Sequence, residues 1–251
     1  MKLEQNTILI TGGGSGIGRA LAEMFINKGN IVIIAGRNEQ KLHNVAAAHE
    51  NIKVEVLDIT DAPSVADFAA SIIKRYPKLN VVVHNAGIMQ PEVVGEGDIA
   101  IAEAIINTNL LSQIRLNSAL LPHLKQQANA TIMTVSSGLA FLPRFDFPTY
   151  CATKAAIHSY TQSLRWQLHD SNIRVIELIP PYVQTELTSS AQASDPLAMP
   201  LDEFIAQVTH ILETEHDVTE VTVERVLFQR TAAASGEYDA RFKQFQERFA
   251  H

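Results

Sequence analysis

The feature that most constrains the fold is a short apolar run that leads through a glycine-rich turn into a helical pattern. The run T-I-L-I-T spans Thr7–Thr11, the turn continues to Gly18, and Ile17–Lys28 has helical periodicity that stops before Gly29. A strand that is apolar on both faces has to be covered on both faces. This junction therefore predicts the first β–α unit of a parallel sheet.

Apolar runs and helical segments keep alternating along the chain. Five more strands are predicted at Ile31–Ala35, Ile52–Leu57, Val81–His84, Thr131–Val135 and Ile173–Ile179. Helices are predicted between them at Glu39–His49, Ala62–Arg75, Ile99–Lys125 and Thr149–His169. Because crossovers between parallel strands are right-handed, the pattern predicts an α/β fold with a Rossmann-type doubly wound parallel sheet and helices on both faces.

The last third of the chain has a different pattern. Pro180 and Pro181 end the sixth strand, and a loop rich in Ser, Ala, Asp and Pro follows at Thr188–Pro200. A helix from Leu201 to about Glu213, a short strand at Val218–Val223 and a final helix at Tyr238–Phe249 complete the prediction. With no repeat or linker, residues 1–251 are expected to form a single domain.

Composition limits the partners and the compartment. The 20 basic and 27 acidic residues give a net charge of −7 with no basic stripe, so nucleic acid is not an expected partner. No apolar run reaches the roughly 18–20 residues of a membrane-spanning helix. The lone Cys151 excludes an intrachain disulfide, and M-K-L-E-Q-N-T leads directly into a strand without a signal peptide. We expect a cytoplasmic protein.

The glycine-rich turn has the composition of a phosphate cradle. Gly12, Gly16 and Gly18 have the spacing G-x-x-x-G-x-G at the strand–helix junction. Such glycines permit a tight turn and close backbone approach to a pyrophosphate, and a helix N-terminus attracts anions. An ordinary glycine-rich turn is the alternative interpretation, but the context favours dinucleotide binding.

The end of the second strand distinguishes the two nicotinamide dinucleotides. A carboxylate there would bind the ribose 2′-hydroxyl of NAD, whereas an arginine can bind the 2′-phosphate of NADP. The sequence A-G-R-N places Gly36 at the acid position and Arg37 after it. This predicts NADP rather than NAD, although Arg37 could also be a solvated surface residue and Ser15 adds no second positive charge.

Three residues suggest proton transfer. Ser137 precedes Tyr150 by thirteen residues, and Lys154 follows Tyr150 by four. Residues four apart on a helix share a face, and a neighbouring lysine would lower the pKa of the tyrosine toward neutrality. Together with the glycine turn, an activated phenol predicts hydride transfer. A surface pair and a strand-end serine are the alternatives.

The ordered motifs resemble the short-chain dehydrogenase/reductase family from Thr7 to about Thr185. After T-G-G-G-S-G-I-G come L-D-I at Leu57–Ile59, H-N-A-G at His84–Gly87, N-T-N at Asn107–Asn109, V-S-S-G-L-A and Y-C-A-T-K. The resemblance implies a catalytic tetrad of Asn109, Ser137, Tyr150 and Lys154. In it, Tyr150 would exchange a proton with the carbonyl or alcohol oxygen, Ser137 would hold that oxygen, and Asn109 would fix a relay water. A purely structural role for Asn109 stays open.

The resemblance also implies which residues bind the cofactor. They are Gly12, Ser15, Gly16, Ile17, Gly18, Arg37, Asp58, Ile59, Asn85, Ala86, Gly87, Tyr150, Lys154, Val183 and Thr185. Asp58 and Ile59 would bind adenine, and Asn85–Gly87 would lie beside the ribose. The chain departs from the family's P-G-x-V-x-T pattern at Pro181, where proline fixes φ near −65°. The double proline and M-P-L-D-E-F are similar to the DltE-type oxidoreductase subgroup.

Other candidate sites are weaker. Cys151 has small apolar neighbours, so a packing thiol is favoured over a nucleophile. The nine histidines lack metal-ligand spacing, so no metal site is expected. The apolar residues before the tyrosine could line a substrate wall or belong to the core or a subunit contact; they are Phe141, Leu142, Phe145 and Phe147.

The predicted function is an NADP-dependent oxidoreductase acting on a small-molecule carbonyl or alcohol. A substrate loop and helix are expected at about residues 185–215, but that loop contains no motif that identifies the substrate. A non-catalytic NADP-binding sensor or scaffold is one alternative, and an epimerase or dehydratase with a retained nicotinamide is another. Apolar faces on the two long helices predict a homodimer or homotetramer.

Overall fold

The computed structural model describes residues 1–95 and 99–249, and its centre is one parallel seven-stranded sheet. The strands are β1 Thr7–Thr11, β2 Ile31–Gly36, β3 Ile52–Val56, β4 Leu79–His84, β5 Ala130–Val135, β6 Ile173–Ile179 and β7 Glu220–Thr222. Their order is β3-β2-β1-β4-β5-β6-β7, and every pair is parallel. The predicted Rossmann-type fold class is confirmed.

Helices connect the strands and cover both faces of the sheet. They are α1 Gly16–Asn27, α2 Glu39–Ala46, α3 Ala62–Arg75, α4 Ile99–Ile106, α5 Ser112–Leu124, α6 Pro148–Gln167, α7 Leu201–Thr214, α8 Leu227–Arg230 and α9 Tyr238–Phe249. Short 3₁₀ turns lie at Gly138–Ala140, Ser190–Ser194 and Glu224–Val226. None of the helices in the described ranges is both long and apolar enough to cross a membrane.

The predicted helix Ile99–Lys125 is interrupted in the structure. A π-helical turn at Asn107–Leu111 separates α4 from α5. Within this turn the buried Asn109 side chain bonds to the backbone of another segment, and Ser112 Oγ donates back to Thr108 O at 2.5 Å. Such bonds favour a local widening of the helix that hydrophobic periodicity does not reveal. The last strand is also shorter than predicted, since it covers only Glu220–Thr222.

Two apolar layers hold the sheet between its helices. One includes Phe25 of α1 and Phe204 of α7, and the other includes Ile72 of α3 and Leu120 of α5; all four are fully buried. Each such side chain contributes about 2–3 kcal/mol through burial. The apolar character of both sheet faces, which the sequence predicted, is thereby explained.

The strand order creates a crevice where β1 meets β4. The Thr11 hydroxyl at the end of β1 accepts hydrogen bonds from the backbone N–H groups of Asn85 and Ala86, both at 3.1 Å. These bonds tie the loop after β4 to the loop after β1. Ligands of doubly wound sheets bind at this point, beyond the carboxyl ends of the strands.

Candidate active site

A cleft of about 360 Å³ runs from the glycine-rich turn to the C-terminal helix α9. The predicted site residues that line it are Gly12, Ser15, Gly16, Ile17, Asn85, Ala86, Gly87, Ser137, Tyr150, Lys154, Val183 and Thr185. The predicted residues Gly18, Arg37, Asp58, Ile59 and Asn109 do not line it. One cleft thus contains the predicted phosphate cradle and the predicted proton-transfer residues.

The glycines in the turn are required by geometry. Gly12 and Gly16 have φ values of +68° and +52°, in the left-handed region that favours glycine. A Cβ on Gly12 would lie 2.9 Å from Cα of Ala86, and a Cβ on Gly18 would lie 2.4 Å from the Gly12 carbonyl oxygen. Gly18 therefore packs beneath the turn, outside the cleft.

The turn leads into α1 with its first N–H groups available to an anion. Ser15 is the N-cap of α1, and its side chain makes no capping hydrogen bond. The N-terminus of a helix has unpaired N–H groups and a partial positive charge. The turn and helix N-terminus therefore fit a pyrophosphate.

Asn85 lines the cleft, but its side-chain amide is hydrogen-bonded to the protein backbone. Its Nδ2 donates to the backbone oxygens of Thr11 at 3.0 Å and Gly12 at 3.2 Å. The amide thus fixes the shape of the glycine turn. The ribose contact implied by the family resemblance remains a prediction for this segment.

Arg37 and Asp58 lie outside the cleft, in the loops after β2 and β3. Arg37 is exposed and forms no ion pair within the described ranges. Asp58 accepts hydrogen bonds from the Thr60 N–H at 2.9 Å and hydroxyl at 2.7 Å. These bonds lower the pKa of Asp58, and the nearby charge of Arg37 lowers it slightly further. Ile59, which lies between Asp58 and Thr60 in the sequence, is buried.

Ser137, Tyr150 and Lys154 come together as buried side chains. Ser137 follows β5 and caps a 3₁₀ turn by accepting from Leu139 N–H at 3.1 Å. Tyr150 and Lys154 lie one turn apart on α6, with Lys154 Nζ 5.5 Å from the Tyr150 ring centroid. Lys154 Nζ donates to the Val135 carbonyl at 2.8 Å.

The sequence predicted that Lys154 lowers the pKa of Tyr150 toward neutrality, but in this structure the pKa of Tyr150 is raised. Burial raises the pKa of Tyr150 above its ordinary value, and a hydrogen bond with Ser137 offsets only part of that rise. Burial lowers the pKa of Lys154 to about 8, and the charge of Glu177 offsets part of that fall. Both shifts arise because desolvation disfavours the charged form of each group. Tyr150 is therefore a neutral phenol at neutral pH.

The Asn109 side chain is hydrogen-bonded to the backbone of another segment. Its Oδ1 accepts from Ile88 N–H and its Nδ2 donates to the Ile88 carbonyl, both at 2.9 Å. The Asn109 backbone carbonyl accepts from Gln113 Nε2 at 2.9 Å. The two side-chain bonds hold the Ile88 segment, which lines the cleft. Its role in a water relay remains a prediction.

A buried carboxylate behind the site was missed by the sequence analysis. Glu177 on β6 is fully buried; it accepts from Ser136 Oγ at 2.5 Å, and its other oxygen lies 2.8 Å from His158 Nδ1. His158 lies one helical turn after Lys154 on α6. The only sequence signal was an acidic residue inside the apolar strand I-R-V-I-E-L-I. Because Ser136 is bonded to Glu177, Ser137 is the serine available to a ligand.

Potential ligand atoms of His158, Glu177 and Glu220 lie within 4.8 Å of one another. The Arg230 guanidinium already binds both oxygens of Glu220, at 2.7 and 3.1 Å. A guanidinium at this distance repels a metal cation. These residues are better described as an ion-paired network, and the expected absence of a metal site stays a prediction.

The apolar residues that line the cleft are not the ones that the sequence suggested. Leu142 and Phe147 are buried in the protein, Phe145 is exposed, and Phe141 packs on His158, so none of these four residues lines the cleft. The apolar wall is instead formed by Leu139, Tyr182, Phe245 and Phe249.

Helix α9 supplies part of that wall. Gln246 anchors it by accepting from Phe145 N–H at 2.9 Å and donating to the Pro143 carbonyl at 2.7 Å. The guanidinium of Arg144 lies 4.1 Å from the Phe249 ring centroid. The helix was predicted, but its place against the cleft depends on these long-range contacts.

The loop after β6 is held by one buried glutamine. Gln192 Nε2 donates to the Val183 carbonyl at 2.8 Å and to Thr185 Oγ1 at 3.0 Å. Val183 also pairs with Met199 as an isolated parallel bridge. Pro181 does not adopt a positive φ, as its ring requires. Val183 and Thr185 line the cleft, and their contact with a cofactor remains a prediction.

Cys151 is a packing residue. Its side chain is buried, and burial raises the pKa of its thiol to about 11. A thiol that stays protonated at neutral pH is a poor nucleophile. This confirms the preferred interpretation of the sequence.

Comparison with known proteins agrees with the geometry. The sequence profile described as short chain dehydrogenase matches residues 6–196. The chain is 38% identical to the uncharacterized oxidoreductase DltE of Bacillus subtilis, over 97% of this chain and 98% of that protein. An uncharacterized oxidoreductase of Staphylococcus saprophyticus is 28% identical over 90% of this chain and 100% of its own length.

Solved structures share the fold at similar length. A 3-ketoacyl-(acyl-carrier-protein) reductase from Brucella melitensis complexed with NADH has a TM-score of 0.79 and 26% identity, covering 90% of this chain and 100% of that one. A short chain dehydrogenase from Burkholderia cenocepacia in complex with NADP has the same TM-score and identity, covering 96% and 99%. The chain therefore belongs to the short-chain dehydrogenase family and is an oxidoreductase. Its similarity to the DltE-type subgroup is confirmed.

Proposed function

We propose that this protein is an NADP-dependent oxidoreductase that transfers a hydride between the nicotinamide and a carbonyl or alcohol substrate. The observation that carries the proposal is the convergence of Ser137, Tyr150 and Lys154 in a cleft that begins at the glycine turn. Two solved relatives bind NADH and NADP, which supports a nicotinamide cofactor here.

The residues present fit such a cofactor. Gly12, Ser15 and Gly16 would hold the pyrophosphate through backbone N–H groups, and Val183 and Thr185 would contact the nicotinamide end. Arg37 would bind the 2′-phosphate, with Asp58 and Ile59 nearby at the adenine. When bound, the cofactor supplies or accepts the hydride.

Tyr150 and Ser137 would act on the substrate oxygen. Because burial keeps Tyr150 protonated, the phenol can donate its proton to the carbonyl oxygen during reduction. The Ser137 hydroxyl would donate a second hydrogen bond to the same oxygen as negative charge develops on it. One such donor contributes about 3–4 kcal/mol to transition-state stabilisation in a water-poor site.

Lys154 would act as a cation beside the phenol, and Glu177 would maintain its charge. Replacing Glu177 with glutamine removes the negative charge that partly offsets the lowering of the Lys154 pKa by burial. The lysine then loses its proton at lower pH. We expect the high-pH limb of kcat/KM, measured from pH 6 to pH 10, to move to lower pH.

Ser136→Ala is the control for that experiment. It removes the 2.5 Å hydrogen bond to Glu177 but leaves the carboxylate. Its high-pH limb should stay close to that of the unmodified enzyme. A Glu177→Gln limb that does not move, in a variant with an unchanged melting temperature, would contradict the proposed role of Glu177.

Arg37 provides the test of cofactor preference. Arg37→Asp replaces a phosphate-binding guanidinium with a carboxylate that repels the 2′-phosphate and can bind a 2′-hydroxyl. We expect the ratio of kcat/KM for NADPH to that for NADH to fall by about 10²-fold, equivalent to two charge-assisted hydrogen bonds. Arg19→Asp, an exposed charge reversal on α1, is the matched control. An unchanged ratio in Arg37→Asp would remove the argument for NADP.

The direct test of the function is NADPH oxidation with a panel of aldehydes and ketones. We expect turnover of at least one carbonyl class, with one NADP formed for each alcohol. Tight NADPH binding without oxidation by any class would favour the sensor or scaffold alternative. Substrate conversion without net cofactor oxidation would favour an epimerase or dehydratase.

A homodimer or homotetramer is also proposed. Ile106 at the end of α4, Leu111 in the π turn and Trp166 on α6 are large apolar residues exposed to solvent. Exposed apolar side chains on neighbouring helices are typical of subunit contacts. The cytoplasmic location stays a prediction from the lone cysteine.

A further inference from the structure

The substrate end of the cleft contains a polar pair that the proposed hydride transfer does not use. Arg225 and Gln229 lie four residues apart, in the 3₁₀ turn Glu224–Val226 and in α8, and both line the cleft. This segment packs against the loop that carries Ser137. A Cβ added to Gly138 would lie 2.4 Å from Gln229 Oε1 and 2.9 Å from Val226 Cγ2.

Gln229 presents its side-chain amide to the cleft. The residue is only 7% exposed, yet its side chain makes no hydrogen bond within residues 1–95 and 99–249. Its amide atoms are accessible from the cleft, beside the residue that follows Ser137, so they can bind a polar group of the substrate.

Arg225, an exposed residue, adds a positive charge to the lining of the same cleft. Arg144 in the cleft is neutralised by Asp146 through bonds of 2.8 and 2.7 Å, and Glu186 pairs with Lys41 at 3.6 Å. Arg225 has no ion pair within the described part of the chain. The local excess of positive charge contrasts with the net charge of −7 for the whole protein.

We propose that Arg225 and Gln229 bind a carboxylate on the substrate, so that the enzyme reduces oxo acids. A guanidinium offers parallel N–H donors that match the two oxygens of a carboxylate, and the Gln229 amide adds a neutral donor beside it. The substrate would place its carbonyl at Tyr150 and Ser137 and its carboxylate at the Arg225–Gln229 pair. This inference rests on the proposed hydride transfer at the same cleft.

The test compares charged and neutral substrates of one skeleton. NADPH oxidation is measured with hexanoates that carry a carbonyl at carbon 2, 3, 4 or 5, with the methyl ester of each, and with 2-hexanone. We expect the best acid to exceed its ester in kcat/KM by at least about tenfold, the effect of one charge-assisted hydrogen bond. In Arg225→Met and Gln229→Leu this preference should fall to within about twofold, with ester turnover retained.

Arg248→Met is the matched control. Arg248 also lines the cleft and has no ion pair within the described ranges, but it packs 5.7 Å from the Phe249 ring centroid, on α9. Arg248→Met should leave the ratio of kcat/KM for the acid to that for its methyl ester unchanged. If Arg248→Met and Arg225→Met reduce the preference for the acid over its ester equally, the effect is a general electrostatic one and the proposed site is overturned.

The results distinguish a failure of the carboxylate site from a failure of the proposed hydride transfer. If the esters and 2-hexanone are reduced with the same kcat/KM as every acid, the proposed carboxylate site is wrong, and the proposed hydride transfer is unaffected. If no compound oxidises NADPH, the proposed function fails, and calorimetry of 4-oxohexanoate with the NADP-loaded protein decides the site. Binding that is lost in Arg225→Met would support the site, whereas no binding to the unmodified protein would overturn it.

Discussion

Tyr150→Phe should lower kcat for carbonyl reduction by at least about 10²-fold, because it removes the proposed proton donor and keeps the ring. The ring is buried beside Lys154 and Ser137, so the substitution leaves the packing of the site in place. NADPH affinity should change little, since the backbone of the glycine turn is untouched. Steady-state kinetics and NADPH titration by fluorescence measure the two effects.

Tyr160→Phe provides the matched control for this loss. Tyr160 lies on the same helix α6 but packs against the core layer that contains Ile72 and Leu120, and it does not line the cleft. Removing its hydroxyl should leave kcat within about twofold of the unmodified enzyme, as is usual for changes outside the site. Activity retained in Tyr150→Phe would exclude the proposed proton transfer.

Gly18→Ala should weaken NADPH binding by about 10²-fold and destabilise the protein. The added Cβ would lie 2.4 Å from the Gly12 carbonyl oxygen and 2.3 Å from Asn85 Nδ2. Since the first of these atoms belongs to the backbone, the glycine turn itself has to move. Overpacking of this kind costs about 1–3 kcal/mol, which lowers the melting temperature of a 250-residue protein by several degrees.

Gly14→Ala tests whether that effect is specific to the contact. A Cβ on Gly14 would lie 3.4 Å from Leu42 Cδ2, an ordinary distance to a flexible side chain. Gly14→Ala should therefore bind NADPH with an affinity close to that of the unmodified protein. Equal NADPH affinities for Gly18→Ala and the unmodified protein would show that the turn does not need its observed shape.

The sheet and the proximity of Tyr150 and Lys154 were predictable because each leaves a local sequence pattern. Apolar runs at Thr7–Thr11 and Ile173–Ile179 specify strands buried on both faces. The spacing of Tyr150 and Lys154 specifies a shared helix face. These patterns depend on residues close together in the chain, so the sequence alone was sufficient.

Features that depend on tertiary contacts were not predictable in the same way. Glu177 becomes important because folding buries it against Ser136 and His158. The π-helical turn at Asn107–Leu111 includes Asn109, whose side chain bonds to Ile88, a residue distant in sequence. The elevated pKa of Tyr150 reflects burial by surrounding elements, which the Tyr150–Lys154 spacing does not encode.

The residues that form the cleft wall were also not predictable from the sequence, because tertiary contacts bring them to the cleft. Phe249 reaches the cleft because Gln246 anchors α9 to the loop at Pro143. Gln229 reaches it because α8 packs on Gly138. Neither residue belongs to a motif in the first two-thirds of the chain, where the family resemblance is strongest.

The most direct test of the central claim follows the transferred hydrogen. NADPH carrying deuterium at C4 of the nicotinamide, prepared separately as its two stereoisomers, is incubated with the enzyme and the best carbonyl substrate. We expect mass spectrometry to show one deuterium on the former carbonyl carbon of the product with one of the two stereoisomers, and none with the other. Product formed without deuterium from either stereoisomer would contradict hydride transfer from the nicotinamide.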